Sequence, residues 1–125
     1  MTVREQVTDR LAILGDVPTL KISAISGKGV HKLWPALLEA VARYRTRIPT
    51  RAVNDVVRAA QSAHPAPEGA RVLYATQGAS DPPTFTLFTN RLLPPTYLRY
   101  LERKIREAFD LGAVPIKLRV RRRSE

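Results

Sequence analysis

The C-terminal part of this sequence predicts an α+β fold, a two-layer sandwich in which helices pack on a three-stranded sheet in the order α-β-β-α-β. Residues 51–63 and 96–109 carry apolar side chains at helical spacing, so each segment predicts one amphipathic helix. Residues 71–77 and 84–89 have the β-branched and aromatic composition of strands. Residues 116–121 alternate between apolar and basic side chains, which predicts a third strand with one apolar and one basic face.

The chain before this unit predicts two helices and one short strand. Apolar residues recur at helical spacing over residues 3–14, and residues 20–24 have the composition of a brief strand. The clearest helix spans residues 30–46, and we expect its apolar face to pack against the C-terminal unit through Trp34, Leu37 and Val41. The full apolar stripe comprises Val30, Leu33, Trp34, Leu37, Leu38, Val41 and Tyr44.

Ile48-Pro49-Thr50 interrupts the helical pattern, and we place a domain boundary there. It divides the chain into domains 1–48 and 49–125. Thr50 is expected to cap the helix over 51–63. The inward faces of the two C-terminal helices are expected to comprise Val53, Val56, Val57, Ala60, Leu98, Leu101, Ile105 and Phe109.

The composition points to an anionic partner. The chain has 125 residues, a net charge of +10 and a pI near 10.9, and such a charge favours nucleic acid. The sequence has no cysteine, which excludes disulfides and thiolate metal sites, and we expect no metal site. No apolar run approaches the roughly 20 residues of a membrane span, and the N-terminus has no signal-like stretch. We therefore expect a cytoplasmic protein without a membrane partner.

The α-β-β-α-β order and the basic charge suggest an RNA-binding domain of K-homology (KH) type. Such domains hold the RNA backbone with a Gly-x-x-Gly loop, which this sequence lacks. Other surfaces must then contact RNA, or the charges are only a solvated face. The candidate RNA-binding residues are Lys117, Arg119 and Arg121 on the last strand, Arg122 and Arg123 after them, and Arg99, Arg103 and Arg106 on the preceding helix.

Five aromatic residues are candidates for stacking on bases, although we expect most of them to lie in the core. They are Tyr74, Phe85, Phe88, Tyr97 and Tyr100.

The run from Ile22 to Val30 has the pattern of the last guanine-binding loop of a GTPase. Ser23 and Ala24 would bring backbone N–H groups close to the guanine carbonyl, but a strand-turn-helix junction with glycine is common and the pattern alone is weak. A phosphate loop, an Asp-x-x-Gly switch and an Asn-Lys-x-Asp base reader are absent from the sequence. We also find no arrangement typical of catalytic residues, so no catalytic site is predicted.

Together, four segments resemble the C-terminal part of the bacterial double GTPase family called Der or EngA. They are KISAISGKGVHKLWPALLEAVARYRTRIPT, YATQGASDPPTFTLFTN, LLPPTYLRYLERKIREAF and PIKLRVRRR, within about residues 20–123. The resemblance implies that domain 1–48 is the end of a second GTPase domain and that domain 49–125 is a KH-like domain without the Gly-x-x-Gly loop. It also implies that Ser23 and Ala24 are the remnant of a guanine motif, with GTP or GDP as cofactor of the parent protein and none for this part.

The resemblance further implies a role in late assembly of the large ribosomal subunit. The expected partners are ribosomal RNA, the large subunit and the GTPase domains of the same parent protein. A module that binds RNA is the leading hypothesis, and a protein-docking regulator of the adjacent GTPase domain is the alternative. An autonomous enzyme is disfavoured by the missing motifs.

Overall fold

The computed structural model describes residues 2–12 and 17–123. Helix α1 spans Val3–Arg10 and α2 spans Leu33–Tyr44, after a 3-10 turn at Val30–Lys32. The C-terminal unit then follows the predicted α-β-β-α-β order. Its elements are α3 (Thr50–Ala63), β1 (Val72–Ala79), β2 (Thr84–Thr89), α4 (Pro95–Ala108) and β3 (Lys117–Arg122), with a 3-10 turn at Pro67–Gly69.

The three strands form one sheet in the order β1-β2-β3, which confirms the predicted α+β fold. β1 pairs with β2 antiparallel, and β2 pairs with β3 parallel. The parallel pairing requires a crossover, which α4 provides.

Helices α3 and α4 cover one face of this sheet. Phe85 and Leu87 of β2 are fully buried in the same core as Leu101 and Ile105 of α4 and Val53 of α3. The opposite face, which we call the outer face, is identified by strand alternation and by register. It comprises Tyr74, Thr76, Thr84, Thr86, Phe88, Lys117, Arg119 and Arg121.

The predicted cap of α3 is wrong by one residue. Pro49 is the N-cap residue and Thr50 is the first helical residue. The Thr50 Oγ1 atom lies 3.4 Å from Thr76 Oγ1 of β1 instead of bonding to a backbone N–H group of its own helix. Thr50 therefore links the helix to the sheet.

The free edge of β1 is closed by amide side chains of α3. The Gln61 side chain donates to Val72 O at 3.2 Å and accepts from Val72 N at 2.7 Å. Asn54 bonds in the same two-way manner to Ala75. These side chains take the place of a neighbouring strand, because each satisfies one backbone donor and one acceptor.

The strand predicted over residues 20–24 is not formed. Residues 17–23 are irregular, and a turn follows at 24–26. A strand needs a neighbour to pair its backbone groups, and the one sheet of the described residues is completed by β1, β2 and β3. The predicted helix over 3–14 is shorter, because α1 ends at Arg10, and Leu14 lies outside the described residues.

The helix predicted over residues 30–46 is confirmed in α2, but the packing of its apolar stripe is not. Trp34 is 67% exposed, Leu37 47% and Val41 45%, so these side chains face solvent and not the C-terminal unit. In the described residues, α2 is joined to that unit by its C-terminal end and by the residues just after it. Tyr44 O accepts a hydrogen bond from Asp81 N at 3.1 Å, and beyond the helix Thr46 O accepts one from Gln77 Nε2 at 2.7 Å.

Candidate nucleic-acid interface

Strand β3 places three cations on the outer face of the sheet. Lys117 is opposite Thr84, Arg119 opposite Thr86, and Arg121 opposite Phe88. All three cations are exposed. The Cα atoms of successive cationic residues are roughly 6.6 Å apart along the strand, because same-face residues are two positions apart. The three residues form a basic row along the edge of the sheet.

Arg122 and Arg123 continue this charge but leave the row. Arg122 is opposite Thr89, so alternation places it on the face that carries Leu87 rather than on the outer face. Arg123 follows the strand, and its backbone N–H donates to Thr89 O at 2.7 Å. Both are exposed. Within residues 2–12 and 17–123, no carboxylate forms an ion pair with the five cations from Lys117 to Arg123.

The arginines of α4 lie on a different surface. Because α4 covers the core side of the sheet, the exposed side chains of Arg99 and Arg103 do not share the outer face with Arg119 and Arg121. The Arg103 guanidinium lies 5.8 Å from the ring centroid of Tyr100, within cation–π range. The structure does not bring the two predicted basic groups together.

Arg106, which we expected on a free basic face, has an internal role instead. Its Nη1 atom donates to Gly112 O at 2.7 Å and to Val114 O at 2.6 Å. Its Nη2 atom lies 3.0 Å from Glu102 Oε1. These bonds hold the loop between α4 and β3, so the Arg106 guanidinium is already occupied and we remove it from the candidate interface.

The aromatic residues divide between the core and the outer face. Phe85 is fully buried and Tyr97 nearly so, as expected of core residues. The Tyr100 hydroxyl donates to Ala60 O at 2.8 Å across the α3–α4 contact. Tyr74 is 45% exposed, and its ring centroid lies 6.3 Å from that of Phe88, so this pair lies on the outer face instead. Sequence reasoning missed the pair, although strict alternation after Phe85 would have placed Phe88 outward.

Ser23 and Ala24 lie in a compact turn. Ser23 N donates to Lys28 O at 2.9 Å, Gly27 N donates to Ser23 O at 2.8 Å, and Ser23 Oγ accepts from Ser26 N at 3.2 Å. Gly29 closes the segment with a φ of +83°, and a β-carbon there would collide with the carbonyl oxygen of Lys21. The small residues of the motif thus allow a tight backbone turn.

Neither a metal site nor a membrane-spanning helix is found in the part of the chain that the structure describes. No group of three or more His, Asp or Glu side chains is placed to hold a metal ion there. None of the helices in that part is both long and apolar enough to cross a membrane.

The chain is similar to the C-terminal region of known bacterial GTPases. Residues 47–121 match the family model described as the KH-domain-like region of EngA bacterial GTPase enzymes, C-terminal. The chain is 39% identical to the GTPase Der of Mycobacterium avium strain 104 over 98% of its own length. It is 40% identical to the GTPase Der of Azorhizobium caulinodans over 95% of its length. It spans only 27% and 28% of those two relatives.

Proposed function

Because the chain belongs to the family of KH-like domains at the C-terminus of EngA bacterial GTPases, we propose that it is the RNA-binding module of such a GTPase. In this proposal it contacts ribosomal RNA during late assembly of the large ribosomal subunit, in the cytoplasm. The observation that carries the proposal is the exposed basic row of Lys117, Arg119 and Arg121, next to which Arg122 and Arg123 are also exposed. Cations that have no acidic partner among the described residues are available to bind phosphates and release their counterions.

The proposal assigns no GTP chemistry to this chain by itself. GTP or GDP is the cofactor of the parent protein, and Ser23 and Ala24 are the end of its guanine site. The sequence lacks the phosphate loop that would cradle the nucleotide and the lysine and hydroxyl that it would supply. The Ser23–Lys28 turn then serves only as part of a larger site.

A second candidate function is docking on the GTPase part of the parent protein, and the exposed stripe of α2 favours it because that part would have to cover the stripe. Trp34, Leu37, Leu38 and Val41 are each at least 45% exposed on one side of the helix, and apolar surface of this kind marks an interaction site. In the parent protein, residues 1–48 would complete the second GTPase domain, and this stripe would be buried inside it. The two functions use different surfaces and are compatible.

The test of RNA binding is charge reversal in the basic row. In the variant Arg119→Glu/Arg121→Glu, we expect weaker binding to ribosomal RNA and a smaller salt dependence. The slope of log K against log salt, which is negative, should become smaller in magnitude by about 1.4, since each phosphate contact of a single strand contributes about −0.7. Adding Arg122→Glu and Arg123→Glu should weaken binding further.

The matched control is Arg51→Glu/Arg58→Glu, which removes the same charge from exposed positions on α3. Filter binding over a salt series, on variants whose folding is checked by circular dichroism, measures both effects. If the row variant and the control bind equally well at every salt concentration, the row is a solvated face and protein docking becomes the leading function.

A further inference from the structure

The outer face of the sheet carries an aromatic pair beside the basic row. Tyr74 of β1 is opposite Phe88 of β2, and Phe88 is opposite Arg121 of β3. The three side chains therefore form one line across the sheet, because residues in register share a face. The two rings have centroids 6.3 Å apart and planes inclined at 39°. A hydrophobic surface thus lies directly beside the row of cations.

The rest of this face is small and uncharged. Thr76 and Thr86 form the next line across the sheet, which ends at Arg119. Thr84, which pairs with Lys117, is buried. No acidic residue belongs to the outer face as defined above. The described residues of this face therefore carry no negative charge that would repel an anion, and they include no large aliphatic side chain that could cover the rings.

The rings are not needed to complete the core. Both helices that bury the sheet lie on the other face, where Phe85 and Leu87 fill the core. Tyr74 remains 45% exposed although it is a large aromatic residue. Tyr74 is thus exposed, Phe88 is partly buried, and a cation lies beside Phe88. Aromatic rings next to cations are the combination with which proteins bind single-stranded nucleic acid, because bases stack on the rings and phosphates lie on the cations.

We infer that the outer face of the sheet is a stacking surface for single-stranded RNA. Tyr74 and Phe88 stack on two bases, while Lys117, Arg119 and Arg121 hold the phosphates along the edge strand. The inference rests on the proposed function and adds the form of RNA and the residues that contact its bases. It places RNA recognition on the outer face of the sheet. A Gly-x-x-Gly loop, which binds RNA in other KH domains, is absent from this sequence.

Single-stranded RNA fits this face better than the other anionic partners do. The bases of a duplex are stacked within the helix and cannot reach Tyr74 or Phe88, whereas the bases of a single strand can. An acidic polypeptide would pair with the cations but would leave the two rings without stacking partners.

The test measures the affinity of single-stranded and of duplex RNA for variants of this 125-residue chain in which the aromatic rings are replaced. The probe is a labelled oligouridylate of about ten nucleotides, a length within the site sizes of single-strand binding domains. Tyr74→Leu/Phe88→Leu keeps apolar side chains in the strands but removes the stacking surfaces. We expect it to lose about 10- to 100-fold in affinity for the oligouridylate, with the salt slope unchanged. Binding to a duplex RNA of equal length should not change.

Tyr74→Phe is the conservative control, because it keeps the ring and should retain oligouridylate binding. Circular dichroism and thermal unfolding establish that the leucine variant is folded. If it is folded and binds oligouridylate as tightly as the parent, while Arg119→Glu/Arg121→Glu binds weakly, the stacking surface is refuted and the proposed RNA function stands. If neither RNA form binds the parent chain, both fail. The inference would also be overturned if polyglutamate displaced labelled oligouridylate as effectively as unlabelled oligouridylate does. That result would mean that the surface binds any polyanion through its charge alone.

Discussion

The side-chain amide of Asn54 forms two hydrogen bonds with the backbone of Ala75, donating from Nδ2 to the carbonyl oxygen at 2.7 Å and accepting at Oδ1 from the amide nitrogen at 2.8 Å. Its Nδ2 atom also donates to Thr50 O, one turn earlier in α3, at 2.9 Å. Asn54 therefore helps to hold α3 on the edge of the sheet and pairs backbone groups that a neighbouring strand would otherwise pair.

Replacing Asn54 with alanine should lower the free energy of unfolding by about 1–3 kcal/mol, because a partly buried donor and acceptor of Ala75 lose their partner. Asp55→Ala, one residue along on the exposed side of α3, is the control and should change stability by less than about 0.5 kcal/mol. Urea unfolding measures both values. Equal stability of the two variants would mean that water pairs the Ala75 backbone as well as Asn54 does.

Arg106→Met should also destabilise the chain, by about 2–4 kcal/mol, because the carbonyl oxygens of Gly112 and Val114 lose a charged donor. Arg103→Met, on the exposed side of the same helix, should have little effect. The salt dependence of RNA binding by folded Arg106→Met should equal that of the parent. A reduced salt slope would instead return Arg106 to the RNA interface.

Tyr97→Phe should lower the free energy of unfolding by different amounts at neutral and at alkaline pH. Burial raises the pKa of Tyr97 above its ordinary value of 10.0, and the neighbouring Tyr100 phenol raises it further. The Tyr97 hydroxyl donates to His64 O at 2.6 Å, so losing it should cost about 1 kcal/mol at pH 7.

Above pH 10 the difference between Tyr97→Phe and the parent should shrink. In that range the unfolded parent releases the Tyr97 proton while the folded parent retains it, so the parent loses stability as pH rises through the folded pKa. The phenylalanine variant has no such proton at this position. Urea unfolding at pH 7 and at several values above 10 measures the gap, and a gap that stays constant would contradict the raised pKa.

Leu37→Lys should leave the stability of this chain within about 0.5 kcal/mol of the parent, since Leu37 is 47% exposed on α2. Leu101→Lys, at a fully buried position of α4, should prevent folding and serves as the contrasting variant. Thermal unfolding separates the two. A large loss of stability in Leu37→Lys would mean that the α2 stripe packs against the C-terminal unit after all.

We expect no measurable GTP binding by this chain. The Ser23–Lys28 turn offers small residues near a guanine, but the sequence has neither the phosphate loop nor the base reader. Titration with a fluorescent mant-GTP measures this directly. Saturable binding in the micromolar range would contradict the expectation and would require a nucleotide site of another kind.

The sequence alone predicts the C-terminal fold almost completely. Alternation in β3 and the helical spacing in α4 are local properties, and local periodicity fixes which side of an element is apolar. The same alternation correctly separates Lys117, Arg119 and Arg121 from Leu118 across the strand. These features follow from the chain because they depend only on neighbouring residues.

The remaining features depended on which surfaces meet in three dimensions. The apolar periodicity of α2 predicts an amphipathic helix correctly, but periodicity does not say what covers the apolar face, and Trp34 is exposed. Residues 20–24 have strand composition but form no strand, because a strand needs a partner for its backbone. Arg106 looks like Arg103 in the sequence, yet only Arg106 lies within reach of the carbonyl oxygens of Gly112 and Val114. Tertiary packing alone decided these three outcomes, since each depends on whether a partner outside the element itself lies within reach.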